Sequence, residues 1–253
     1  INQVLPFQID DALPFDVEDL VYDYIVLSQE GEKSELLVAY TQREALVEAL
    51  EVLQGEGVDP KLLSFGTTSY LTLEALRPTP KEPDDEPSLD EEDPIPPNAT
   101  LLLDIGETGS DILVLSENGP VQVRPISCGG HALTEAIAGA FQVGKQQAEQ
   151  GKLIEGELVA PPASPEISER ALFVSGALER GLSPLLRELL RSCASYERVE
   201  GGEIEEVVLA GASASLPGLA DYLSVMTQLP TKVAQWQQLD ERLAPKQQPA
   251  TPA

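Results

Sequence analysis

Histidine, methionine, tryptophan and cysteine are nearly missing from this 253-residue chain, which holds one, one, one and two of them. A metal centre built on imidazole and thiolate has few ligands to draw on, and no zinc site is expected around His131, the only histidine. Cys128 and Cys193 are too few for a disulfide framework and belong to no CxxC pair, so a reducing compartment is expected, with both thiols in the core. Basic residues are also scarce: 16 Lys and Arg face 43 Asp and Glu, a formal charge of −27. Such a chain is repelled by nucleic acid and by an anionic membrane surface, and it suits a basic protein face. Long apolar runs are lacking too; none reaches the roughly 18 to 20 residues of a membrane helix. With no charged-then-apolar leader at its start, the chain as given is expected to be cytosolic. It begins at Ile1 without Met and ends in a loose Pro/Gln/Ala tail from Pro245, which reads as a piece of something longer.

What is present divides around an acidic stretch. Glu82 to Asp93 is mostly Asp and Glu interspersed with Pro, a composition that repels itself and buries nothing, so Pro78 to Asn98 reads as a disordered linker. Before it, Val21–Ser28 and Ser34–Tyr40 read as strands. Thr41 and Glu44 form a capping box ahead of a helix bearing Leu46, Leu50 and Leu53, stopped at Gly55 and Gly57. Further helices are expected near Asn2–Ala12 and Thr67–Leu76. After the linker, a strand near Val121–Ile126 leads through Gly129 and Gly130 to a helix with Leu133, Ile137 and Phe141 on one face. Ser164 and Pro165 open a longer helical stretch ending near Tyr196, which Gly176, Gly181 and Pro184 are expected to break. Glu206–Ala210 and Thr231–Gln235 read as strands flanking a helix over Gly218–Gln228. Strands alternating with helices predict an α/β layer fold.

Two local patterns carry chemistry. Leu101–Leu115, LLLDIGETGSDILVL, reads as a β-hairpin around a glycine turn. Gly106 and Gly109 let backbone approach a ligand, the amides of Glu107 and Thr108 suit an anion, and Asp104 suits a metal-bound water. A plain surface hairpin with an acidic turn is the other reading of the same residues. Leu209–Leu219, LAGASASLPGL, sets small residues between a strand and a helix, where a flat ligand can lie on the backbone.

In order and spacing these two elements resemble the second phosphate loop and the adenosine loop of actin-like ATPases. Together with Leu13–Tyr24 (LPFDVEDLVYDY) and Cys128–Thr134 (CGGHALT), they look like the actin-like proteins of bacterial envelope machines. These are type IV pilus assembly protein M and the cytoplasmic part of type II secretion protein L, the Leu-Pro-Phe-Asp segment leaning towards the latter. The resemblance implies an actin-like (ribonuclease H-like) ATPase fold, incomplete at both ends. Residues 1–77 would be a small α/β subdomain inserted in the first half, 78–98 the linker, 99–244 the second half and 245–253 a flexible tail. It further implies a nucleotide pocket from Asp104, Gly106, Glu107 and Thr108 with Gly211, Ala212 and Ser213, Ala212 standing where a second glycine is usual. The first phosphate loop is expected upstream of Ile1, and a final helix beyond the last strand. The piece is thus expected to need no cofactor, to bind Mg-ATP weakly and to hydrolyse nothing. As implied partners come the N-terminal domain of a secretion ATPase and other inner-membrane platform proteins, at the cytoplasmic face of the inner membrane, with a membrane helix beyond the chain given.

Competing chemistries find less support. Ser127, Ser175 and Ser213 lack a base in any recognisable motif, so nucleophilic hydrolysis is not expected. The Gly129–Thr134 segment suits either an anion at a helix N-terminus or a plain tight turn. Carboxylates at Asp10, Asp11 and Asp16–Asp19 read as solvated helix edges. Trp236 reads as a half-buried anchor or a partner contact. An active ATPase or sugar kinase would rest on Asp104 and Asp111; a filament former would need self-complementary surfaces. Apolar surface left uncovered at the two ends is expected to favour pairing of two copies.

Overall fold

The computed structural model describes residues 1–31, 33–64, 66, 70, 97–116 and 119–234. The helix expected over Thr67–Leu76, nearly all of the acidic linker, Trp236 and the tail lie outside the described residues. The chain divides into two units, Ile1–Ser69 and Tyr70–Ala253.

In the first unit, Pro6 opens helix α1 (Leu5–Ala12), and Leu5 and Ile9, one turn apart, share its buried face. Strands β1 (Leu20–Glu30) and β2 (Lys33–Gln42) form an antiparallel hairpin in register from Leu20↔Gln42 to Glu30↔Lys33, with a bulge between Val26 and Ser28. Alternation sends Leu20, Tyr22 and Tyr24 to the face where Leu5 and Ile9 pack, with Leu36 and Val38 beside them. Among the described residues only Leu5, Ile9 and Leu20 are buried in this core. Helix α2 (Arg43–Gly55) follows directly; Arg43 bonds the carbonyl of Leu20 at 3.0 Å. The expected capping box does not form, because Thr41 is held in the β-ladder opposite Val21 and the N-cap is Gln42, with no side-chain bond.

The second unit is a five-stranded sheet in the order β5-β4-β3-β6-β7. Strands β3 (Ala99–Ile105), β4 (Ser110–Ser116) and β5 (Gly119–Ile126) are antiparallel neighbours, while β6 (Ile204–Ala210) and β7 (Thr231–Val233) join in parallel. Leu101, Leu103 and Ile105 face a core shared with helices α3 (Gly130–Phe141), α5 (Glu169–Glu200) and α6 (Leu219–Thr227); Leu102, Leu113 and Val208 are buried on the opposite face. Burial on both faces explains why β3 reads as an unbroken apolar run. Pro97 and Asn98 belong to this packing: Tyr196 donates to the Pro97 carbonyl at 2.5 Å and Asn98 to Glu205 at 2.8 Å.

Two expectations about helices are corrected. The long helix starts at Glu169, capped by the Ser168 hydroxyl accepting from the Ala171 amide at 3.2 Å, and not at Ser164. It also runs unbroken through Gly176, Gly181 and Pro184 to Glu200. Gly181 is a packing residue: a Cβ there would stand 2.9 Å from the Ala132 carbonyl and 3.1 Å from the Ala136 Cβ, so the glycine lets α5 press against α3. Burial of Leu178, Leu182, Leu185 and Leu189 along one face, at roughly 1.5–3 kcal/mol each, outweighs the roughly 3 kcal/mol cost of an interior proline. A further helix, α4 (Lys145–Glu155), was not expected; it is mostly polar and buries only Ala148.

Candidate functional site

The turn between β3 and β4 closes when the Gly106 amide donates to the Gly109 carbonyl at 3.0 Å. A side chain at Gly106 would put its Cβ 2.8 Å from that carbonyl oxygen. At the mouth of the hairpin Asp104 and Asp111 are direct cross-strand partners, both half-buried. The start of α3 clamps the turn from the side: the Gly130 amide donates to the Gly106 carbonyl at 2.9 Å and the His131 amide to the Glu107 carbonyl at 2.7 Å. These contacts correct the anion reading of Gly129–Thr134, since its first two helical amides are spent on hairpin carbonyls. Glu107 and Thr108 form the exposed tip, and among the described residues their amides have no partner. An open groove of about 640 Å³ runs past the tip and Asp111 to Pro125 and Ser127.

The small-residue corner arrives at the same place for a topological reason. Strand β6 lies parallel to β3 with Ala210 opposite Asp104, so the next residue, Gly211, must turn beside the hairpin. Its φ of +85° suits glycine, and a Cβ would touch an Asp104 carboxylate oxygen and stand 2.6 Å from the Ile105 carbonyl. Ala212–Ser215 form a single 3₁₀ turn. Ser213 lies against the start of α3, its Oγ 2.5 Å from where a Gly130 Cβ would be, whereas Ala212 is exposed. The structure therefore brings Asp104, Gly106, Gly211 and Ser213 together, with Glu107 and Thr108 at the rim.

Two neighbours were missed from the sequence. Tyr70 donates to Asp104 Oδ2 at 2.9 Å; burial, that bond and the charges of Asp104 and Asp111 push its phenol pKa up. On α4, Lys152 donates to the Gly130 carbonyl at 3.0 Å, to Thr134 Oγ1 at 2.8 Å and to Glu149 Oε2 at 2.9 Å, with its side chain only 12% exposed. Thr134 also bonds Glu149; that bond, with the Lys152 contact, holds the Glu149 carboxyl below its usual range against the opposing effect of burial. Glu149 and Lys152 are one turn apart on a single helix face, and that spacing was the available signal. Glu149 and Thr134 line a second groove of about 530 Å³ with Glu107, His131 and Lys145. His131 meets Glu135, one turn on, at 3.3 Å. Among the described residues no group of three or more His, Cys, Asp or Glu is placed to hold a metal ion.

The mixed sheet, with its glycine hairpin and small-residue corner meeting over an aspartate, has the actin-like fold. The solved structure titled "PilM-PilN type IV pilus biogenesis complex" matches with a TM-score of 0.73 at 24% identity, over 97% of this chain and 66% of that one. MreB5 of Spiroplasma citri bound to ADP matches with a TM-score of 0.50 at 19% identity, over 77% of this chain and 60% of that one. No curated protein sequence matches. The family model of type IV pilus assembly protein PilM matches residues 2–246, and the chain belongs to that family. Of the two relatives named from the sequence, the pilus protein is the one this family model describes. The chain spans 66% of the length of the PilM-complex chain that it resembles.

Proposed function

We propose that this chain is a cytoplasmic adaptor of an inner-membrane assembly platform, which holds the cytoplasmic segment of a membrane partner and docks a motor ATPase through that enzyme's N-terminal domain. Membership of the PilM family supports a pilus-assembly setting, and the solved relative is itself a complex with PilN. A charge of −27 favours a basic docking face on the partner. The same role in a type II secretion platform is the narrower form of the proposal.

Nucleotide is a ligand in this reading rather than a substrate. The exposed amides of Glu107 and Thr108 would receive phosphate oxygens, Asp104 would hold a water of the magnesium ion, and Gly211–Ser213 would border the adenosine. Magnesium would supply charge neutralisation to the phosphates. The observation that carries the non-catalytic part is the engagement of Asp104: one oxygen accepts from Tyr70 and the other lies against Gly211, so this carboxylate is held in place on both sides. The test is co-purification of the chain with a PilN-type membrane partner and with the motor's N-terminal domain, alongside a phosphate-release assay with Mg-ATP. Capture of both with negligible release supports the adaptor. Brisk release abolished by Asp104→Ala would replace it with an ATPase.

A further inference from the structure

The solvent face of α5 carries a charge pattern opposite to that of the chain as a whole. Arg180, Arg187, Arg191 and Arg198 are seven, four and seven residues apart. At 3.6 residues per turn these spacings bring all four within about 40° of one another around the helix, along a line about 27 Å long. All four are exposed. Over the same stretch the helix's carboxylates, Glu179, Glu188, Glu197 and Glu200, fall about 80° or more away from that line. Among the described residues only Arg191 of the four arginines forms an ion pair, with Glu188 at 2.7 Å, and Glu188 is shared with Arg124 of β5 at 3.1 Å. Arg187 reaches only the Ser183 hydroxyl at 3.0 Å, and among the described residues Arg180 and Arg198 meet no carboxylate.

Folding does not explain this arrangement. The helix is held by its buried leucines on the far side, and like charges one turn apart, as at Arg187 and Arg191, oppose helix formation slightly. Arg198 complements the negative helix C-terminus, but Arg180, Arg187 and Arg191 stand too far from it to do so. Four of the chain's 16 basic residues thus lie on one strip of a surface that is otherwise strongly acidic.

We infer that this arginine strip is a second docking surface, and that its occupant is an acidic segment of another protein. Complementarity of charge selects the sign of the partner, and the planar guanidinium fork suits carboxylates. The shape of the strip selects its width. At physiological salt, charges further than about 8 Å apart are largely screened, so a slender segment lying along the strip senses the arginines more than the chain's net charge. A broad anionic sheet of lipid would also face the surrounding carboxylates. The inference is separate from the basic-face docking proposed above, since it concerns a partner of opposite charge.

The test is fluorescence anisotropy of labelled poly-L-glutamate titrated with the full chain at physiological salt. Saturable binding is expected, weakened about tenfold in the triple variant Arg180→Gln/Arg187→Gln/Arg198→Gln as three exposed pairs are lost, and largely kept when the same positions carry Lys. Unaltered far-UV circular dichroism of both variants shows that the change is local. Absence of binding, or equal binding by the Gln variant, overturns the inference. Preferential binding to phosphatidylglycerol vesicles overturns it in favour of a lipid surface.

Discussion

Substituting Gly211 by alanine tests the convergence of the two loops on Asp104 without removing a polar group from either motif. The new Cβ would meet the Asp104 carboxylate and stand 2.6 Å from the Ile105 carbonyl oxygen and 2.8 Å from its carbon, both part of a buried central strand. Relieving that overlap costs about 1–3 kcal/mol as overpacking. Holding alanine at a φ of +85° adds roughly 1–2 kcal/mol, and the stiffer unfolded chain returns about 0.4–1 kcal/mol. The net expectation is a loss of roughly 1–5 kcal/mol, centred near 3 and a large share of a typical domain's 5–15 kcal/mol. Urea unfolding followed by circular dichroism should show a lower midpoint at an unchanged slope. Gly139→Ala is the matched control: it sits inside α3 with nothing within 4 Å of a new Cβ, and should stabilise by about 0.5–1 kcal/mol. A Gly211→Ala protein as stable as the parent would refute the close approach of the corner to the hairpin.

Other consequences follow from the same geometry. Lys152→Met removes the donor shared by Gly130, Thr134 and Glu149, so thermal unfolding should show a loss of about 1–3 kcal/mol. Burial, aided by the Glu197 charge, pushes the Cys193 thiol up to about 11. Below the unfolded thiol's pKa of about 8.5 its contribution to stability is complete; above it, the unfolded chain gains a thiolate, and stability falls by at most about 1.4 kcal/mol per pH unit until the folded thiol also ionises. Urea midpoints measured across that window should decline less steeply in Cys193→Ala. Because only three of the described residues are buried in the core of the first unit, amides of β1 and β2 should exchange with deuterium faster than those of β3 and β6. Equal protection in the two strand pairs would contradict that ranking.

Much of the fold was legible because its signals are local. Unbroken apolar runs marked β3, β4 and β6, and Gly129–Gly130 marked the start of α3. Helix breakers misled at Gly181 and Pro184 because their effect depends on what lies across the interface: Gly181 is small so that α3 can approach, a fact of tertiary contact that no single-chain pattern carries. Helix α4 was invisible for the converse reason, being held by Lys152 and Ala148 rather than by an apolar stripe. The two loops of the site were readable as small-residue turns. Their meeting at Asp104 depends on the parallel pairing of β3 with β6, which joins segments about a hundred residues apart. Tyr70 carries no motif, and its contact with Asp104 had no sequence signal.

The most direct test of the adaptor reading is a titration of the immobilised chain with the cytoplasmic segment of a PilN-type membrane protein, read as equilibrium surface-plasmon response. Saturable one-to-one binding is the expected result. A flat response over the full concentration range, from a chain whose circular dichroism shows it folded, would contradict the account.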